Sequence, residues 1–119
     1  MSDAVTIYHN PRCSKSRETL SLLQANGVEP QVVLYLETPP DAQTLRELLT
    51  MLGMKSPREL MRQKEDLYKS LNLADDKLSE EALIQAMVEN PKLIERPVVV
   101  AKGQARIGRP PEQVLEIVK

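Results

Sequence analysis

Cys13 is the only cysteine in a sequence of 119 residues, and its neighbours are of the kind that keep a thiolate charged. The run His9-Asn10-Pro11-Arg12-Cys13-Ser14-Lys15-Ser16-Arg17 carries a histidine, two arginines and a lysine, and no acid. The thiolate is the nucleophilic form of cysteine. It is favoured beside cations and at a helix start, where unpaired backbone N–H groups and the helix dipole attract an anion. A lone cysteine is ordinarily a small buried hydrophobe. That role calls for apolar neighbours, and these are polar and basic, so the run reads as a reactive-thiol loop.

The flanking sequence predicts how the loop is held. Residues 4–8 are a β-branched run that reads as a strand, and residues 18–25 read as a helix stopped by Gly27. Cys13 therefore falls where a strand hands over to a helix N-terminus. Residues 31–36 form a nearly continuous apolar run, expected of a strand buried on both faces. A strand–helix–strand unit crosses over right-handed, which makes its two strands parallel. Pro39 and Pro40 end it, and Asp41 is the expected cap of the next helix.

The middle of the chain reads as helical. Leu45, Leu48, Leu49 and Leu52 make one apolar stripe, ended by Gly53. Ser56-Pro57-Arg58-Glu59 is a capping box opening a short helix. A weaker helical piece covers residues 65–71, and Ser79 opens a helix that runs to about Asn90, before Pro91. Arg46 and Arg58 read as solvated positions on these helices. Residues 97–101 and 104–107 are strands joined by Lys102-Gly103, hence an antiparallel hairpin, and residues 112–118 form a last helix. The order predicts one α/β domain over residues 1–119. It is a thioredoxin-like four-stranded mixed sheet flanked by helices, with an all-helical insertion at about residues 41–90.

Composition narrows the function classes. A net charge of −1 gives no electrostatic case for nucleic acid or an anionic membrane. No apolar run reaches transmembrane length, and the first residues lack a signal-peptide pattern. One cysteine permits no internal disulfide, and with one histidine besides, a zinc cluster is ruled out. A cytoplasmic protein with a reduced thiol and no bound metal or cofactor is expected.

Several of these segments carry a resemblance. Tyr8-His9-Asn10-Pro11 with Cys13, Ser16 and Arg17, then residues 35–40, Leu60-Met61-Arg62, Glu95-Arg96-Pro97 with its valines, and Arg109-Pro110 resemble the glutaredoxin-linked arsenate reductase family, the ArsC family. The similarity spans essentially the whole chain, in the family's order and spacing, and the short enterobacterial branch is a close match. The resemblance implies a nucleophilic Cys13, with His9 helping to set its thiolate. It implies that Arg62, Arg96 and Arg109 bind the oxyanion, with Asn10, Ser14, Ser16 and Arg17 in support. Arsenate or a related oxyanion would be the substrate, with glutathione as co-substrate and glutaredoxin as protein partner. In thioredoxin-like folds a cis proline lies beside the active cysteine, which makes Arg96-Pro97 the expected site. Arg12, Ser14 and Lys15 stand where the plasmid-borne type has smaller, less charged residues.

The implied chemistry agrees with the residues themselves. Arginine presents a fork of donors that stays charged, suited to a tetrahedral anion. Ser16 occupies the place where a Cys-x-x-Cys protein keeps its resolving thiol. Serine closes no disulfide, so reducing equivalents must come from outside the chain. Two other classes fit parts of the sequence. One is a glutathione-dependent thiol oxidoreductase acting on disulfides. The other is a non-catalytic redox-sensing regulator docking on RNA polymerase, whose usual Cys-x-x-Cys switch Ser16 interrupts.

Overall fold

Val5, Ile7 and His9 alternate with Thr6 and Tyr8 along the first strand, β1 (Val5–His9), and only the first set is buried. This period of two is that of a strand covered mainly on one face. The computed structural model describes residues 4–118, and β1 lies at the centre of its sheet. The chain divides into two units, one running to Thr38 and resuming at Arg96, the other Pro39–Glu95.

The first unit contains β1, α1 (Ser14–Ala25), β2 (Gln31–Leu34), β3 (Val98–Ala101), β4 (Gln104–Ile107) and α5 (Leu115–Val118). The sheet order is β2-β1-β3-β4. β1 pairs parallel with β2, Ile7 opposite Val32, and antiparallel with β3, Ile7 opposite Val99. β3 pairs antiparallel with β4, Val99 opposite Arg106. This is the mixed four-stranded sheet expected from the element order, with helices flanking it. Its core joins Val5, Ile7, Leu23, Val99, Ala101, Val114 and Ile117. Each buried Val, Leu or Ile side chain here contributes about 1.5–3 kcal/mol relative to exposure.

Three boundaries differ from the sequence reading. β2 ends at Leu34, and at the sheet edge it leaves Gln31 and Val32 exposed instead of burying both faces. Its apolar run continues into a turn, where Leu34 O accepts the N–H groups of Glu37 and Thr38. α1 starts four residues earlier than its apolar pattern, because Cys13 O already accepts the Arg17 N–H at 3.0 Å. The last helix opens as a 3-10 turn, Pro111–Val114, before α5.

The β3–β4 connection places Lys102 at φ 56° and Gly103 at φ 75°, the left-handed pair that matches strand twist in a two-residue hairpin. At the far end of β4, buried Gly108 donates its N–H to Pro97 O at 2.9 Å. A Cβ there would run into Thr19 Oγ1 of α1 and come within 2.8 Å of Pro97 Cγ. Gly108→Ala is therefore expected to lower stability by about 1–3 kcal/mol. Urea denaturation checks this; an unchanged midpoint would show that the segment yields freely.

In the second unit α2 (Ala42–Leu52) is capped by Asp41, whose Oδ1 accepts the Thr44 N–H, and closed by Gly53 at φ 73°. Ser56 opens a 3-10 turn, Pro57–Leu60, instead of an α-helix: Arg58 N–H reaches Ser56 Oγ, and Ser56 N–H reaches Glu59 Oε2. α3 (Asp66–Ser70) and α4 (Glu80–Glu89) follow, with Ser79 capping α4 and α2 packed on α4. Arg58 is not a solvated residue: Nε and Nη2 donate to the carbonyls of Leu73 and Asp75. Nor is the insertion wholly helical, since Met61 and Ile94 form an antiparallel β-bridge.

Candidate active site

Asn10 builds the turn that carries the thiol. Its carbonyl accepts the Cys13 N–H at 3.0 Å, its Oδ1 accepts the Arg12 N–H at 3.0 Å, and its own N–H donates to Ser16 Oγ at 3.0 Å. Such an Asx turn lets a short polar side chain stand in for backbone. Arg17 reinforces it from α1, with Nη1 donating to Pro11 O at 2.9 Å. The outcome is a Cys13 fixed at the N-cap of α1, with extended φ −97° and ψ 124° and no capping bond from its side chain. The first helical N–H groups, of Ser14, Lys15 and Ser16, have no partner within the helix by helix geometry. No acid lies in that first turn.

Cys13 Sγ faces a cation: Arg109 Nη2 donates to it at 3.7 Å. Arg109 sits just past the end of β4, and its Nε donates to the carbonyl of Arg96 at 2.9 Å. Arg96 lies before β3, half-buried, with Nε and Nη1 shielded from solvent. The two ends of the antiparallel hairpin thus meet, and the Arg96 backbone aims the Arg109 fork. Both peptide bonds that follow these arginines, Arg96-Pro97 and Arg109-Pro110, are cis.

His9 is buried at 6 % exposure, since β1 periodicity turns it to the same face as Val5 and Ile7. Its Nδ1 lies 2.6 Å from Ser16 Oγ, and among the described residues no hydrogen bond joins it to Cys13. Burial first, and the Arg17 charge second, hold His9 below its ordinary value of 6.5. Both causes disfavour the protonated ring. Ser16 Oγ also accepts the Asn10 N–H, so one buried hydroxyl joins the His9 ring to the turn. His9 is linked to the Cys13 turn through Ser16 and the Asn10 N–H, not directly to the thiol.

A lowered histidine has a stability consequence. The unfolded chain binds the proton more readily, so stability is fully present above pH 6.5 and is lost as pH falls toward the depressed folded value. Urea midpoints at pH 7.5 and 5.0 should differ for the wild type by more than for His9→Asn. Equal pH dependence would mean that His9 titrates as in the unfolded chain.

The remaining residues divide by role. Ser16 is fully buried and joins β1 to α1. Ser14 and Arg12 are exposed, and neither side chain makes a hydrogen bond or ion pair among the described residues. Lys15 Nζ lies 3.9 Å from Glu18 on the exposed helix surface. Arg62 belongs to the second unit, where its N–H donates to Leu93 O at 2.7 Å and Nη1 pairs with Glu65 at 3.0 Å. Sequence reading assigns Gly108 no role, yet its missing side chain is what lets the stretch before Arg109 lie against Thr19. An isolated Gly before Arg-Pro was the available signal.

The sequence and fold resemble those of known proteins. The sequence pattern of the ArsC family matches residues 8–117. The Escherichia coli K12 protein called "Uncharacterized protein YfgD" is 80% identical over 118 residues, 99% of each chain. A Neisseria meningitidis serogroup A protein named arsenate reductase is 49% identical over 92% of this chain and 94% of its own. Among solved structures, an arsenate reductase from Vibrio cholerae superposes with a TM-score of 0.96 at 60% identity, covering 99% of this chain and 100% of that one. The chain belongs to the ArsC family.

Proposed function

We propose that this protein is an arsenate reductase in which the Cys13 thiolate is the nucleophile, and glutathione and glutaredoxin supply the electrons. The observation that carries the reading is Arg109 Nη2 at 3.7 Å from Cys13 Sγ, at a helix start without acid. A thiolate and an oxyanion repel each other, and a guanidinium shared between them offsets that repulsion. The free N–H groups at the start of α1 offer further donors for developing negative charge.

The thiolate bonds to arsenic(V), one As–O bond breaks, and the oxygen leaves as water after protonation. The glutathione thiol displaces a second hydroxyl, again as water, giving Cys13–S–As–SG. A glutaredoxin thiolate then attacks the glutathione sulfur, and the electron pair of the S–As bond passes to arsenic. Arsenic becomes trivalent and glutaredoxin is left as a mixed disulfide with glutathione. Water releases arsenite and restores the Cys13 thiolate. Ser16 supplies no resolving thiol and the chain has no second cysteine, which supports an external reductant.

Intact mass spectrometry after incubation with arsenate and glutathione, glutaredoxin withheld, tests the reading. Expected is an arsenic-containing adduct with a single glutathione on the wild type and none on Cys13→Ser. Protein that stays unmodified would reject the covalent route. The family resemblance makes Arg62 the third arginine of this reading. Arg62→Ala should keep the circular dichroism spectrum while raising the arsenate concentration needed for half-maximal rate. A lost spectrum would assign Arg62 to structure.

A further inference from the structure

Each cation of the thiol loop has a task in the geometry except one. Arg17 holds the Pro11 carbonyl, and Arg109 divides its donors between Arg96 O and Cys13 Sγ. Lys15 is loosely paired with Glu18 at 3.9 Å. Arg12 is exposed and makes no ion pair or side-chain hydrogen bond among the described residues. Its backbone, by contrast, is fixed: its N–H is held by Asn10 Oδ1, and the next residue's N–H by Asn10 O. A rigid turn thus presents a solvated guanidinium immediately beside the nucleophile, with the Lys15 ammonium on the following turn of chain.

We propose that Arg12, assisted by Lys15, recognises the carboxylates of the incoming small thiol, so that it selects an anionic reductant at the group held on the Cys13 sulfur. The proposal rests on the thiol-dependent reading above and names the residues that choose the co-substrate. Glutathione carries a carboxylate at each end, with its thiol between them. A thiol that joins a group held on Sγ brings its carboxylates within reach of the residues flanking Cys13. Those flanks, Arg12 and Ser14-Lys15, carry cations and no acid, the nearest acid in sequence being Glu18. A fork of donors suits a carboxylate, and Arg12 has its fork uncommitted. Because the pair is solvent-exposed, its effect is modest and screened by salt.

Charge-selective disulfides test this without arsenate. Mixed-disulfide formation at Cys13 is followed by intact mass with three reagents: oxidised glutathione (anionic), 2-hydroxyethyl disulfide (neutral) and cystamine (cationic). In each, the Cys13 thiolate attacks one sulfur of the reagent, forms the new S–S bond, and expels the other half as a thiolate. Dividing the rates cancels any effect of a substitution on the thiolate itself. In Arg12→Gln/Lys15→Gln the ratio of oxidised glutathione to the neutral reagent is expected to fall about three- to tenfold at low salt. The ratio of cystamine to the neutral reagent should hold or rise, and the wild-type preference should shrink on adding salt. Equal changes with all three reagents, or a wild type that does not react with oxidised glutathione, would overturn the proposal. Failure of arsenate turnover, with the charge preference intact, would instead overturn only the choice of oxyanion.

Discussion

Cys13→Ser should reduce arsenate-dependent turnover by at least about a thousandfold while leaving the circular dichroism spectrum unchanged. The size follows from chemistry: a serine hydroxyl stays protonated near neutral pH and forms no stable bond to arsenic, so no arsenic is held for glutathione to join. Structure is spared because the Cys13 side chain makes no capping bond to α1 and its residue is only partly buried. The turn is built instead from Asn10, Ser16 and Arg17. Steady-state rates across arsenate concentrations, with glutathione and glutaredoxin saturating, give the comparison. A variant keeping a tenth or more of the rate would remove Cys13 from the mechanism.

Removing Arg109 comes next in size. Its Nη2 donates to the thiol at 3.7 Å, and its Nε is anchored on the Arg96 carbonyl. A charge-assisted hydrogen bond contributes about 1.5–3 kcal/mol, so Arg109→Ala should lower kcat/KM for arsenate by about ten- to a hundredfold. Lysine should rescue only in part, because it keeps the charge and loses the fork. Arg96 contributes both a side chain and the carbonyl that aims Arg109, and Arg96→Ala removes only the first. The two arginines are expected to serve one anion, and residues that share a ligand are non-additive. The double substitution should therefore cost less than the two single losses combined. Near-additive losses of under about 0.5 kcal/mol each would set both arginines outside the site.

Much of this was legible in the sequence where local chemistry decides structure. Asp41, Gly53, Ser79 and the Lys102-Gly103 turn stand where their side chains or φ angles require them, and the structure uses them so. The Cys13 loop was readable because a strand, a polar basic run and a helix follow one another without interruption. The approach of Arg109 to Cys13 was implied only by resemblance and hairpin geometry, since 96 residues separate them. The burial state of His9 was hidden, because it depends on the face of β1 that α1 covers, and that is fixed by tertiary packing. β2 misled for a related reason: an apolar run does not reveal whether its strand is central or at an edge. Arg58 likewise looked solvated, because its carbonyl partners at Leu73 and Asp75 lie well along the chain.

The central claim is that outside thiols reduce arsenate through Cys13. Arsenate-dependent NADPH oxidation, coupled through glutathione reductase, tests it most directly when glutathione and glutaredoxin are each supplied and withheld. The expected result is oxidation of NADPH that needs arsenate, glutathione, glutaredoxin and Cys13 together, with arsenite formed in equal amount. Arsenate-independent oxidation in the presence of a glutathionylated thiol, with no arsenite produced, would contradict the account and make the protein a thiol oxidoreductase.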